Sequence, residues 1–278
     1  MRSNIDRRDA MFNQLAINSN SYSGFTLEQA LKGASAAGFT KIELAAVEHT
    51  PHLLATMSEA ERNEVKSLLK QYGMTVVGIG AHSNVMTTEG IENLLKSIDL
   101  STSFDCHYVI TGTGDAHNDS DVIEDEKRLI KDLTPVLEKC ERLGKTLAIE
   151  THGKNYATGL AVKKLAEQFD YQIKINYDTG NVIFYGDTSP YEDLKASVER
   201  IAFIHLKDKL GDNKEWNFPA IGKGNLNFRR IFDILEQAHF EGPISVEIEF
   251  TPEGPSSLLE VDETVKQSFE YLKQLLGW

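Results

Sequence analysis

Cysteine is scarce in this chain: there are 2 among 278 residues, Cys106 and Cys140. Neither sits in a paired-cysteine motif, so a disulfide framework is excluded and both read as reduced thiols of a cytosolic protein. Positive charge is also short, with 29 Lys and Arg against 42 Asp and Glu and a formal charge of −13. Duplex nucleic acid and anionic membrane surfaces are bound through basic faces that replace counterions, so neither partner is expected. The opening MRSNIDRRDAMFNQ holds an Arg7-Arg8 pair with no apolar run of signal-peptide length behind it. Neither an export signal nor a membrane span is assigned, and a cytoplasmic location is expected. Pro- or Ser-rich linkers, low-complexity tracts and sequence repeats are missing too. With 41% hydrophobic residues, residues 1–278 read as a single domain with a large core.

What the chain does have is alternation. Short β-branched or apolar runs recur, each followed by a longer charged segment with helical spacing of its apolar residues. The runs are QLAIN (14–18), KIELAA (41–46), TVVGIGAH (75–82), YVITGTG (108–114), TLAIETH (146–152), IKINYD (173–178), IAFIHLKD (201–208) and ISVEIEF (244–250). Between and after them lie LEQALKGASAAG, SEAERNEVKSLLKQYG, EDEKRLIKDLTPVLEKCERLG, FRRIFDILEQAHFEG and LLEVDETVKQSFEYLKQLLGW. Several of these close on a glycine suited to the left-handed position after a helix. Eight strand-helix units in roughly 250 residues match an α/β fold of the (β/α)₈ TIM barrel type. An open doubly wound sheet, the structural competitor, would more often show fewer strands or a second domain.

In such a barrel the chemistry sits where strands end and loops begin. Strand five ends on Glu150 and His152, strand six on Asp178, strand seven carries His205 and strand eight carries Glu247. Each is flanked by Val, Ile, Leu or Phe, and a buried unpaired carboxylate is costly, so the four call for a common partner. Taken singly, each has a bland reading as a helix cap or a satisfied polar group, and Asp178 could simply start the helix after strand six. Together, Glu150, Asp178, His205 and Glu247 read as ligands of one divalent metal ion. Three carboxylates and one imidazole favour Mn²⁺, with Mg²⁺, Co²⁺ or Zn²⁺ also able to bind. The set has no thiolate, which argues against a structural zinc. Residues two apart share a strand face, so Glu249 accompanies Glu247 and His152 accompanies Glu150.

With those residues in view, the chain resembles the xylose isomerase-like barrel superfamily, in the group of sugar phosphate isomerases and epimerases. That group includes ketose 3-epimerases and inosose dehydratases and, more distantly, DNA-repair enzymes of the endonuclease IV type. The resemblance spans about residues 12–275 and rests on IETHG, YDTGN, HLKD, FPAIGKGNLNF and SVEIE. It implies one metal held by Glu150, Asp178, His205 and Glu247, with Glu150 and Glu247 also acting as the catalytic acid/base pair. Two departures narrow it. Asn181 stands where ketose epimerases and endonucleases commonly carry His, and is grouped with the substrate-binding residues. Trp216 and Phe218 stand where the endonucleases have an Asp and a His, so phosphodiester chemistry is not expected.

The reaction this implies is metal-assisted proton abstraction next to a carbonyl of a small carbohydrate or cyclitol, through an enediolate. Reprotonation gives an epimer or isomer. Loss of a β-hydroxyl would instead make the protein a lyase, and a silent sugar-binding barrel is the reading from another class. Position on the barrel assigns His82, His152, Glu43, Lys207 and Trp216 to substrate binding. Glu43 could alternatively hold a neighbouring side chain, and Trp216 with Phe218 could pack their loop. Lys207 would also offset the site's negative charge, while alternation turns Asp208 away. Lys223, between Gly222 and Gly224, is a weak phosphate signal. His107 and His239 read as structural. Relatives of this kind often form homo-oligomers.

Overall fold

The computed structural model describes residues 10–47, 49–114, 126–170 and 172–278. The Arg7-Arg8 pair and the helix start read at Glu124 and Asp125 lie outside them. Eight parallel strands close on themselves: β1 Leu15–Asn18, β2 Lys41–Val47, β3 Thr75–Gly80, β4 Tyr108–Thr111, β5 Thr146–Glu150, β6 Lys174–Asp178, β7 Ile201–Leu206 and β8 Ile244–Val246. β1 pairs with both β8 and β2, which removes every edge from the wall. A two-residue strand, Thr50–Pro51, folds back antiparallel on the end of β2. This is the (β/α)₈ barrel expected.

Among the described residues eight helices of two turns or more follow the strands: α1 Leu27–Ala37, α2 Glu59–Gln71, α3 Thr88–Ser103, α4 Glu126–Leu143, α5 Gly159–Glu167, α6 Pro190–Ser197, α7 Phe228–Gln237 and α8 Leu258–Leu276. Their limits follow from local chemistry. Thr26 with Gln29, and Ser58 with Glu61, form reciprocal caps that satisfy the first free N–H groups of α1 and α2. α1 stops at Gly38, whose φ of 114° lies in the left-handed region. None of the helices in the described residues is long and apolar enough to cross a membrane.

The main apolar core lies between wall and helices, with Ile17, Leu44, Ile79, Ile149, Ile175 and Ile204 facing outward into it, all fully buried. A second, smaller cluster of Ile110, Ala148 and Phe203 fills the inside of the barrel. Above this plug the inward positions turn polar. Strand pairing sets Asp178 beside His205, and Glu150 beside Asn176. The register slips between Ile42 and Glu43, and again between Ile175 and Asn176. Such bulges re-aim side chains next to functional sites.

The strands end earlier than their apolar runs suggest, at Gly80, Thr111, Glu150, Leu206 and Val246. Beyond those points the chains splay into loops, although single bonds persist. The Ala81 N–H still donates to Ile110 O at 2.7 Å, and the Glu247 N–H to Leu206 O at 3.1 Å. The residues that carry chemistry therefore sit at the rim, half in the wall and half in loop.

Asp208 turns away from the barrel interior, as alternation predicts. Its carboxylate accepts the backbone N–H groups of Lys209, Gly222, Gly224 and Leu226 at 2.8–3.2 Å. Gly224 is required there, because a Cβ at that position would lie 2.3 Å from Asp208 Oδ1. This latch fixes the long loop after β7. Asp208→Ala, which strips the acceptor from buried donors, is expected to lower stability by about 2–4 kcal/mol in urea denaturation. A loss within experimental error would refute the latch.

Candidate active site

Glu150 and Asp178 close β5 and β6, His205 is the last but one residue of β7, and Glu247 directly follows β8. One donor atom from each of these four buried residues lies within 4.8 Å of the other three. His205 Nδ1 is 3.1 Å from Glu150 Oε1, 3.4 Å from Glu247 Oε2 and 4.0 Å from Asp178 Oδ2. The residues that sequence position grouped are thus brought together in space.

Asp178 serves two purposes. Its Oδ1 accepts the N–H groups of Gly180 and Asn181, both at 2.8 Å, and so starts the short helix Asn181–Phe184. Its Oδ2 is buried and makes no hydrogen bond among the described residues, although Lys207 Nζ is 3.0 Å away. A buried carboxylate oxygen without a hydrogen bond, facing two more carboxylates and an imidazole nitrogen, is what a divalent cation would satisfy. The four residues can hold such an ion.

Each of the other members is braced from behind. His205 Nε2 lies 2.9 and 3.1 Å from the two oxygens of Glu43, which keeps a proton on that nitrogen and turns Nδ1 to the carboxylates. Glu247 Oε1 accepts from Asn18 Nδ2 at 3.1 Å and Asn20 Nδ2 at 3.2 Å. Glu150 Oε1 accepts from Asn181 Nδ2 at 3.1 Å, and its Oε2 contacts His82 Nε2.

Electrostatics explain why such crowding is tolerated. Lys207, only 2% exposed, sets Nζ 3.0 Å from Asp178, 2.9 Å from Glu247 and 2.8 Å from Glu249. Burial pulls its pKa down, but these three acids hold it well above the ordinary lysine value. Burial likewise disfavours the charge on His205, and Glu43, Glu247 and Glu150 together push it well above the histidine range. Glu150 stays well below the usual carboxylate range because His82 and His205 outweigh burial. Asp178 goes the other way: burial, with Glu150 and Glu247 adding to it, raises its pKa to about 7 despite Lys207.

A cavity of about 880 Å³ opens above this cluster. His82, His152, Asn181, Lys207 and Trp216 all line it, as does Glu249. Glu43 does not. It is fully buried beneath His205, a correction to its placement among substrate-binding residues, and it realises the alternative of holding a neighbour. Trp216 and Phe218 divide two roles: the former reaches the cavity, while the latter is fully buried with Lys207 Nζ 5.1 Å from its ring centre. Lys223 is exposed and His107 bonds Thr146 at the opposite end of the strands, 2.8 Å away. Asn18, Asn20 and Tyr185 also line the cavity, beyond the residues that sequence position assigns to it. Asn18 ends β1, so the rule that picked out Glu150 and Asp178 would have found it; Asn20 and Tyr185 carry no such signal.

Comparisons with known proteins agree with this architecture. The family model for the xylose isomerase-like TIM barrel matches residues 31–275. An inosose dehydratase from Clostridium tetani is 30% identical over 143 residues, 44% of this chain and 48% of that protein. The chain thus spans about half the length of the first curated relatives it matches. An L-ribulose-5-phosphate 3-epimerase from Escherichia coli O157:H7 is 24% identical over 82% of this chain and 84% of its own. Among solved structures, a xylose isomerase-like TIM barrel protein from Mycobacterium smegmatis in complex with magnesium superposes with a TM-score of 0.75. It is 18% identical and covers 95% of this chain and 96% of its own.

The charge balance gives a direct test. Lys207→Met takes the shared cation from three carboxylates of a buried site, and chelator-treated protein should lose about 3–5 kcal/mol of stability at neutral pH. The deficit should shrink as the pH falls, because the carboxylates then take up protons. Denaturation midpoints unchanged from wild type across that range would contradict it.

Proposed function

The chain belongs to the xylose isomerase-like TIM barrel family, and from that premise we propose that it is a divalent-metal-dependent isomerase or epimerase. It acts on a carbonyl-bearing carbohydrate or cyclitol by moving a proton at the carbon next to the carbonyl. The observation that carries this reading is the buried cluster of Glu150, Asp178, His205 and Glu247, with Asp178 Oδ2 left without a hydrogen bond.

Those four residues would hold the cation. Mn²⁺ fits the oxygen-rich donor set best, and Mg²⁺, the ion in the Mycobacterium smegmatis structure, follows. When bound, a divalent cation supplies positive charge for the oxyanions of an enediolate. The remaining work falls to the chain. Glu150 and Glu247, on β5 and after β8, act as base and acid on the substrate carbon. Asn18 and Asn20 hold Oε1 of Glu247, and His82 and Asn181 hold the two oxygens of Glu150, so each carboxylate meets the substrate in one orientation. Glu43 keeps His205 in one tautomer.

A second reading rests on the likeness to the Clostridium tetani inosose dehydratase. The same two carboxylates would then take a proton from carbon and give one to a departing β-hydroxyl, which makes the protein a lyase. Solvent-deuterium exchange into a panel of ketoses and inososes separates the two. Label without loss of water supports the epimerase, and a new enone absorbance supports the lyase.

Glu150→Gln and Glu247→Gln are each expected to lower turnover by about 10³-fold or more. Full activity in either variant would refute the two-carboxylate mechanism. Metal analysis of purified protein, and of protein dialysed against Mn²⁺, should find about one ion per chain.

Ion uptake should also depend on pH. Asp178 holds its proton to about pH 7 in metal-free protein, and His205 holds its own beyond the usual range. Both raised pKa values mean that a cation must displace protons, so affinity rises with pH, by up to about tenfold per unit for each proton released. Calorimetry in buffers of different ionisation heat should detect that release. Affinity that is flat between about pH 6 and about pH 8 would contradict the assignment.

A further inference from the structure

Anion-gripping devices are the usual way a (β/α)₈ barrel takes a phosphorylated substrate: glycine-rich turns after strands seven and eight, helix N-termini, and free Lys or Arg at the rim. This chain has such features on its loops and helix starts, most of them off the cavity lining, and its own acids occupy them. The N–H groups of Gly222 and Gly224 donate to Asp208 Oδ2, at 2.9 and 2.8 Å. At the start of the helix Asn181–Phe184, the Gly180 and Asn181 N–H groups donate to Asp178 Oδ1. Gly159 and Leu160, which open α5, donate to the buried carboxylate of Asp193 at 2.7 and 3.2 Å. Before α8, Glu260 Oε2 accepts both the N–H and the hydroxyl of Ser256 at 2.6 Å, while Ser257 Oγ takes the Glu260 N–H.

The cations are engaged in the same way. Lys207, the one Lys or Arg among the described residues lining the cavity, is shared by three carboxylates. Lys209 turns its Nζ to the carbonyl oxygens of Leu210 and Asp212, at 2.6 and 2.8 Å, and Lys214 turns its own to those of Phe184 and Tyr185, at 2.6 and 3.2 Å. Of the cavity's imidazoles, His82 already meets Glu150. What the lining presents instead is neutral hydrogen-bonding chemistry, including Ser23, Ser83 and Asn84, with the amides of Asn18, Asn20 and Asn181 turned to Glu247 and Glu150, beside the carboxylate of Glu249 and the ring of Trp216. Amides and carboxylates suit hydroxyl groups, and an indole face suits the C–H side of a ring.

We infer that the cavity selects an uncharged polyhydroxy carbonyl compound, a free keto-sugar or cyclitol ketone, and rejects its phosphate ester. The selection works by repulsion as much as by fit. A phosphate dianion would enter beside Glu150, Glu247 and Glu249 with Lys207, the one Lys or Arg lining the cavity among the described residues, already shared by three carboxylates, and a wrong partner is refused by leaving its charge unpaired. This assignment rests on the reading of the cavity as a carbohydrate site.

The test is equilibrium binding to Mn²⁺-supplemented full-length protein, followed by calorimetry and tryptophan fluorescence. The probes are ketohexoses, an inosose and the phosphate esters of the same ketohexoses. At least one uncharged compound should bind, and a ketohexose that binds should do so about 100-fold more tightly than its ester. Esters that bind as well as their parents, or a panel in which no uncharged compound binds, overturn the assignment. Binding of an uncharged compound with neither isotope exchange nor turnover leaves it standing and sinks the enzymatic reading. Turnover of esters alone does the reverse.

Discussion

Negative charge packed into the mouth of a barrel is the constraint on which this molecule is built. Glu43, Glu150, Asp178 and Glu247 are all nearly inaccessible to solvent, and Glu249 stands just above them. Carboxylates removed from water raise the energy of the fold unless cations or hydrogen-bond donors stand beside each one. Lys207 and His205 provide the cations, and the amides of Asn18, Asn20 and Asn181 provide donors. Because His205 lies in β7 and Lys207 directly follows it, that strand end is the electrostatic keel of the site, with acids from β2, β5, β6 and just after β8 arranged around it.

The arrangement also separates tasks within single side chains. Asp178 gives one oxygen to the backbone and keeps the other for the cavity. The cap is therefore what positions the site: the turn that starts the helix after β6 fixes where Oδ2 points. His205 is divided likewise, Nε2 toward Glu43 and Nδ1 toward the acids. Preorganisation of this kind spares the site any rearrangement when a ligand arrives.

Much of this was legible in the sequence, for reasons that differ from residue to residue. Glu150, Asp178, His205 and Glu247 stand out because each interrupts a run of Ile, Val or Phe, and strand order then predicts that they converge. Helix limits at Thr26, Ser58 and Gly38 follow from cap chemistry that is local by nature. Glu43 interrupts an apolar run in the same way, yet its task depends on His205, 162 positions away, and on a register slip that no local pattern announces. Asn20 lies in a turn where amides are ordinary, and only the approach of Glu247 makes it part of the site. The apolar runs overshoot the closing points of the strands, because apolar content continues past the place where neighbouring strands diverge.

The latch formed by Asp208 lies on the outer side of the wall, whereas the charges face inward. The loop after β7 is thus tethered at both ends by contacts that do not involve the inward-facing acids. Residues 210–217 between the tethers, Trp216 among them, form a segment whose length and sequence can be exchanged while the Asp208 latch and the buried Phe218, paired with Phe250, stay fixed. For a designer, or for an evolving lineage, that makes this loop an interchangeable cartridge: ligand preference is rewritten there, and the costly arrangement of buried charge is inherited intact.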